Sequence, residues 1–286
     1  MRAALALLIS LGACAPPGAL LAPSPEPAPP ASASAVASSI PVSPVSSPPP
    51  PKASPRAPLE PEETIAAGAM IDLPVPGHPT AVVAAPRPGR RPVVVATHGA
   101  GGTPEALCAY FRELLDDGAF VLCPRGVTMD VYTPPEARTY FYSAHPALER
   151  EVRAALDALV ARFPARVDLE RAVYAGFSQG ATMGALAFSR SPAPFTAAVL
   201  IEGGVEEWSR FTAGLFKAHG GRRVVFACGR RSCADAARRS AAILLRAGVE
   251  SRVVDAPGAG HTYEGAVREG VSAALPWLVE GDPRLR

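Results

Sequence analysis

The stretch "VYAGFSQGATMGA", residues 173–185, decides how the rest of the chain is read. An apolar run enters a short serine turn, and a small-residue helical pattern leaves it. Ser178 stands between Gly176 and Gly180, where a strand becomes a helix. A sharp turn at that point lifts the hydroxyl above the sheet. Side chains at the flanking positions would collide with neighbouring backbone, and glycine avoids the collision. Taken alone, the segment fits either a nucleophile or an inert hydroxyl in a glycine-bounded turn. A serine hydroxyl attacks poorly until a base takes its proton, so the decision passes to what else the chain brings to that edge.

Outward from the turn, short β-branched runs alternate with longer helical patterns. "TAVVAAP" (80–86), "PVVVATHG" (92–99), "FVLCPRG" (120–126), "RAVYAG" (171–176) and "AAVLIEGG" (197–204) read as strands, followed by "RRVVFACG" and "SRVVDAPG". Between them lie amphipathic patterns such as "ALEREVRAALDALVARF" (147–163). The segment from Thr103 has an N-cap, Pro104 in the first turn and Gly118 as its stop. Strands separated by helices imply right-handed crossovers. The predicted fold class is therefore α/β: three layers around a mostly parallel sheet of about eight strands. About 20 residues separate the strand ending near Ile201 from the one starting near Arg222, with typical loops of 2–6 residues leaving room for one helix but not for a large lid domain.

Five histidines are available. His261, in "PGAGHTYEG", follows the last strand and precedes the last helix. It is placed at the carboxyl edge of the sheet, where the serine turn also lies and where open parallel sheets carry their sites. His98 ends another strand at the same edge, and the "HGAGG" that it opens offers backbone N–H groups able to approach an oxyanion. His78, His145 and His219 read as surface or loop residues.

The order of "HGAGG", "GFSQG" and "GAGH", each between a strand and a helix, resembles the α/β-hydrolase superfamily, in particular its small lidless esterases and dienelactone-hydrolase-like members. The resemblance covers roughly residues 69–280. It implies Ser178 as nucleophile, His261 as general base and then acid, and an oxyanion hole from the N–H of Gln179 and from Gly99 or Ala100. It implies a small-molecule or acyl substrate and no metal or organic cofactor. His98 is then expected to hold its loop rather than to move protons. The acid that orients His261 stays open between two residues. The superfamily usually supplies it from the loop after "RRVVFACG", where the first carboxylate is Asp235 in "CGRRSCADAA", and this is the preferred choice. Glu202, which ends a strand in "VLIEGG", is the alternative, because an acidic residue there followed by two glycines is hard to explain as packing. Asp255, six residues before His261, is the weakest of the three. A serine peptidase or thioesterase would use the same residues, while a non-catalytic binding module would keep the fold without the chemistry.

Residues 1–13, "MRAALALLISLGA", have the layout of an export signal, too short to span a bilayer as a mature helix. Cys14 follows in "LGAC", which resembles a bacterial lipobox and makes this cysteine the expected lipid anchor. Residues 14–61 are mostly Pro, Ala and Ser with no periodic apolar face, and read as a disordered linker. Residues 62–286 form the expected hydrolase domain. The remaining cysteines, Cys108, Cys123, Cys228 and Cys233, are even in number in a chain that reads as exported. The preferred pairing is Cys108–Cys123 and Cys228–Cys233, each close in sequence and on adjoining elements, and buried free thiols are the other reading. The spacing lacks the paired motif of a zinc site. A formal net charge of +2, with 19% charged residues, gives no electrostatic basis for binding nucleic acid. Membrane contact is expected only through the lipid anchor.

Overall fold

The computed structural model describes residues 65–190, 194–279 and 282–285. The expected signal, Cys14 and the whole of the expected linker lie outside these residues. Among the described residues, no helix is long and apolar enough to cross a membrane.

The elements run β1 (Met70–Leu73), β2 (Ala81–Ala84), β3 (Arg91–Thr97), α1 (Pro104–Leu114), β4 (Phe120–Cys123), β5 (Val127–Thr128), β6 (Tyr140–Phe141), α2 (His145–Arg162) and β7 (Val167–Phe177). They continue with α3 (Gln179–Phe188), β8 (Phe195–Ile201), α4 (Arg210–Ala218), β9 (Arg223–Cys228), α5 (Arg231–Arg246), β10 (Glu250–Asp255) and α6 (Ala266–Leu278). Eight strands form one sheet in the order β1-β2-β4-β3-β7-β8-β9-β10, and β5 and β6 make a separate two-stranded ribbon. Pairing is antiparallel at β1–β2 and β2–β4 and parallel from β4 through to β10.

The central strands are apolar on both faces because both are covered. Leu148, Val152, Leu159, Ala181, Ala185, Phe216 and Ala237 of α2–α5 pack on one face. Leu107, Phe111, Val267, Val271 and Leu278 of α1 and α6 pack on the other. That is why "RPVVVAT" shows no polar alternation: all its residues after Arg91 are buried. Each such valine contributes about 1.5–3 kcal/mol relative to an exposed one. The N-cap expected of Thr103 is present, its hydroxyl accepting from the Ala106 N–H at 3.3 Å.

The two cysteine pairings expected from the sequence are those found, with Cα–Cα separations of 5.9 Å for Cys108–Cys123 and 5.5 Å for Cys228–Cys233. The first joins α1 to β4 within the core. The second closes the turn from β9 into α5.

Candidate active site

Strand β7 ends at Phe177 and helix α3 starts at Gln179, so Ser178 alone makes the turn. Its backbone, at φ 51° and ψ −116°, lies in a region that L side chains rarely adopt. Strain of this kind costs about 1–3 kcal/mol and persists only where the surroundings enforce it. Here they do. Ser178 N–H donates to the Ile201 carbonyl at 2.8 Å, and Gly180 N–H donates to the His98 carbonyl at 3.1 Å. A Cβ on Gly176 would stand 2.6 Å from the Ala181 nitrogen, and one on Gly180 would collide with the Thr97 carbonyl. Both glycines are required by close approach, as the sequence suggested.

His261 reaches the serine from the loop between β10 and α6, with Nε2 2.8 Å from Ser178 Oγ. Its Nδ1 lies 2.9 Å from Glu202 Oε2. A carboxylate can only accept, so Nδ1 carries the proton and Nε2 is left to accept from the serine hydroxyl. The side-chain carboxylate of Glu202 is wholly shielded from solvent. Oε1 accepts from the N–H of Gly229 at 2.6 Å and of Arg230 at 3.0 Å, and Oε2 accepts from Arg230 Nε at 2.5 Å. Burial alone would push this carboxyl up, but the hydrogen bonds from His261, the two main-chain N–H groups and Arg230 outweigh it. They hold its pKa below the usual carboxylate range.

The preferred acid, Asp235, is not beside His261. Its carboxylate is more than half exposed in the first turns of α5, bonded to Arg238 at 2.9 Å. The same arginine takes up Asp255. The cause is topological: β8 lies between β7 and β9, so Glu202, the residue after β8, stands between His261 at the serine turn and the Gly229–Arg230 turn after β9. Asp235 begins four residues inside a helix that runs back along the sheet. Glu202, the alternative, is therefore the carboxylate that the structure brings to the histidine.

The N–H groups of Gln179, Gly99 and Ala100 have no protein acceptor among the described residues. A Cβ on Gly99 would stand 3.1 Å from the Ser178 Cβ and 3.0 Å from the Phe177 ring, so the loop backbone comes close to the serine. The loop that carries Gly99 is held from both sides. Gly101 N–H donates to the Tyr140 carbonyl and Tyr140 N–H to the Gly102 carbonyl, each at 2.9 Å, so the β5–β6 ribbon is stitched onto it. The Gln179 side chain accepts from Tyr142 N–H at 2.9 Å. His98, 2% exposed, stacks on Tyr142 and sets its ring nitrogens against the Gly99 and Arg125 carbonyls at 2.8 and 2.9 Å. Burial pushes its pKa down against the pull of those carbonyls. His98 thus fixes the loop and is sealed from bulk water.

A cavity of about 190 Å³ opens beside this loop, lined by residues 98–103, Ala106, Leu107, Phe177 and Tyr263. The rings of Phe177 and Tyr263 meet edge to face at 4.9 Å, and Phe177 also packs on His261. Trp208 is buried in the core. It packs on Phe216, and its indole N–H donates to the Gly204 carbonyl. Arg125 holds Glu105 and the Thr80 carbonyl, each at 2.8 Å. The ribbon and the Arg230 contact were not foreseen. Two-residue strands carry no periodic signal, and an arginine in "CGRRSC" reads as surface.

The Glu202, Cys228 and Cys233 ligand atoms lie within 4.8 Å of one another. The two sulfurs are bonded to each other, so they offer no thiolate to a metal ion.

No family model and no curated protein matches the chain. Solved structures do. Over 73% of this chain and 95% of the other, the chain is similar to a dienelactone hydrolase from Anabaena variabilis, at 17% identity and a TM-score of 0.54. A putative dienelactone hydrolase from Klebsiella pneumoniae is 18% identical, with 74% and 98% covered and a TM-score of 0.52. A dienelactone-hydrolase-like promiscuous phosphotriesterase from metagenomic libraries is 21% identical, with 76% and 89% covered and a TM-score of 0.50. With the sheet order and the serine turn, these likenesses establish that the chain has the α/β-hydrolase fold.

Proposed function

We propose that the protein is a serine hydrolase that cleaves carboxylic esters through an acyl-serine intermediate. The observation that carries this reading is the unbroken hydrogen-bond chain Ser178–His261–Glu202 at 2.8 and 2.9 Å. In this mechanism His261 Nε2 takes the Ser178 proton as Oγ attacks the ester carbonyl. The buried Glu202 carboxylate keeps the ring in the reactive tautomer and stabilises the imidazolium that forms. The oxyanion receives the unpartnered N–H of Gln179 and of Gly99 or Ala100, donors worth about 3 kcal/mol each in the transition state. His261 then gives its proton to the leaving alcohol, and water attacks the acyl-serine by the same route in reverse. The uncharged 190 Å³ cavity beside the oxyanion loop favours a small, neutral acyl group.

The test is labelling by a fluorophosphonate together with a panel of p-nitrophenyl esters and peptide amides. The expected result is an adduct on Ser178, turnover of short esters and none of the amides. Absence of the adduct, under conditions that label a control hydrolase, overturns the reading. Turnover of the amides would make the protein a peptidase.

The proposal extends to location: export by residues 1–13 and lipid attachment at Cys14, with residues 14–61 as the tether. Two disulfides fit a compartment outside the cytoplasm. Whole-chain mass spectrometry of protein made in a bacterial host should show a diacylglyceryl Cys14 as the first residue. A mature chain beginning elsewhere without lipid overturns this part.

A further inference from the structure

The acid of the proposed triad is held by a loop that the second disulfide closes. Gly229 and Arg230 follow Cys228 directly, and Cys233 lies in the first turn of α5, so both residues sit inside the ring that Cys228–Cys233 makes. Three of the four hydrogen bonds that reach the Glu202 carboxylate come from these two residues. The disulfide sulfurs themselves stand within 4.8 Å of that carboxylate. The same turn also grips the segment that carries the base. The Cys228 carbonyl accepts from Ala256 N–H at 2.8 Å and the Gly229 carbonyl from Gly260 N–H at 3.2 Å, one residue before His261.

We infer that the Cys228–Cys233 loop is a clamp that positions Glu202 against His261. The disulfide fixes the Gly229 and Arg230 N–H groups, and the Arg230 guanidinium closes on the second carboxylate oxygen. The cause lies in the sequence of β8. Glu202 directly follows β8 at φ 53°, a left-handed conformation that a residue other than glycine keeps only where its surroundings hold it. A buried carboxylate without such donors would protonate or turn away. Cys228, Cys233 and Arg230 are thus positioning residues, acting through Glu202 and touching no reacting atom.

This inference rests on the serine-hydrolase reading, and the experiment separates the two. Ester turnover is measured for the wild type, for Cys228→Ala with Cys233→Ala, for Cys108→Ala with Cys123→Ala, and for Arg230→Met and Arg230→Lys. Melting curves accompany each. The clamp predicts that the Cys228/Cys233 double variant and Arg230→Met each lose about tenfold in kcat, the scale of one charge-assisted hydrogen bond. KM should stay within about twofold, because no substrate contact is removed. Arg230→Lys should recover part of the loss, and the Cys108/Cys123 variant should keep kcat whenever it folds. A merely structural disulfide would lower the melting temperature and spare kcat. If the wild type is active and Arg230→Met turns over at the wild-type rate, the clamp is wrong, whether or not the double variant folds. A wild type that neither turns over esters nor takes the fluorophosphonate overturns the hydrolase reading instead.

Discussion

Strands β8 and β9 lie side by side and both end at the serine edge, yet they contribute opposite things. The end of β8 supplies a carboxylate, and the turn after β9, where the resemblance to known hydrolases places the acid, supplies the donors that hold it. Asp235, the acid expected in that turn, is turned to solvent with Arg238. A site therefore needs a carboxylate and a set of N–H groups in one place, and the fold does not dictate which strand brings which.

The largest effect tests that division of roles. Glu202→Gln keeps the shape but offers the histidine a neutral amide, which can stabilise the wrong tautomer. The expected loss in kcat is on the order of 10³–10⁴-fold, as for removal of the acid from comparable triads. Asp235→Asn should stay within about twofold, since surface ion pairs are worth about 0–1 kcal/mol and this one touches nothing in the site. Steady-state ester hydrolysis by the two variants decides it. A crippled Asp235→Asn beside a healthy Glu202→Gln would return the acid to the β9 turn.

The serine side of the site was legible because its causes are local. "GFSQG" needs two glycines for close approach and "HGAGG" needs small residues around free N–H groups, and both requirements are written into consecutive residues. The alternation of apolar runs and amphipathic patterns likewise exposed the parallel strands. The acid was not decidable, because the choice depends on which strand lies beside β7 and on where α5 begins, and both are set by packing across the whole sheet. Glu202 did leave one sign in the sequence, a carboxylate at the end of an otherwise apolar strand followed by two glycines. Strand β1 and the β5–β6 ribbon escaped for a related reason. They are two to four residues long, and Tyr140 is held by the Gly101–Gly102 backbone rather than by any pattern of its own.

A smaller effect separates the disulfides by what they brace. On the chain-entropy model the Cys108–Cys123 link, spanning 15 residues, contributes about 3 kcal/mol, and the Cys228–Cys233 link, spanning five, about 2 kcal/mol. For a domain of this size, each kcal/mol moves the melting temperature by about 2–4 °C. Removing Cys108–Cys123 should therefore cost the larger share of stability, while removing Cys228–Cys233 costs the larger share of activity. Paired melting curves that rank the two the other way would mean that the β9 turn braces the fold as well as the site.

The smallest effect concerns the opposite edge of the sheet, where carboxylates are held for stability alone. Arg284 pairs with Asp168 at 2.8 Å and with Asp282 at 2.7 Å, and both acids are nearly inaccessible. For Asp282 the Arg284 hydrogen bond pulls the pKa down against burial. For Asp168 burial pushes up, and Arg284, the Glu170 N–H and Arg90 together outweigh it. Both folded-state values thus lie below the unfolded value of about 3.9. A carboxyl lowered in this way stabilises the fold at pH above its unfolded value, and the contribution disappears as the pH falls through the folded value. Arg284→Met removes the chief group that lowers both pKa values, so both are expected to move up. Wild type and variant should then differ most near pH 7 and converge as the pH falls through the wild type's folded values, which lie below about 3.9. Ester turnover should be unchanged at every pH where both are folded, because no contact runs from Arg284 to the serine edge. Melting curves from pH 2 to 7 that run parallel would show that Arg284 acts by packing rather than by charge. A loss of turnover in the folded variant would show that the two edges of the sheet are coupled.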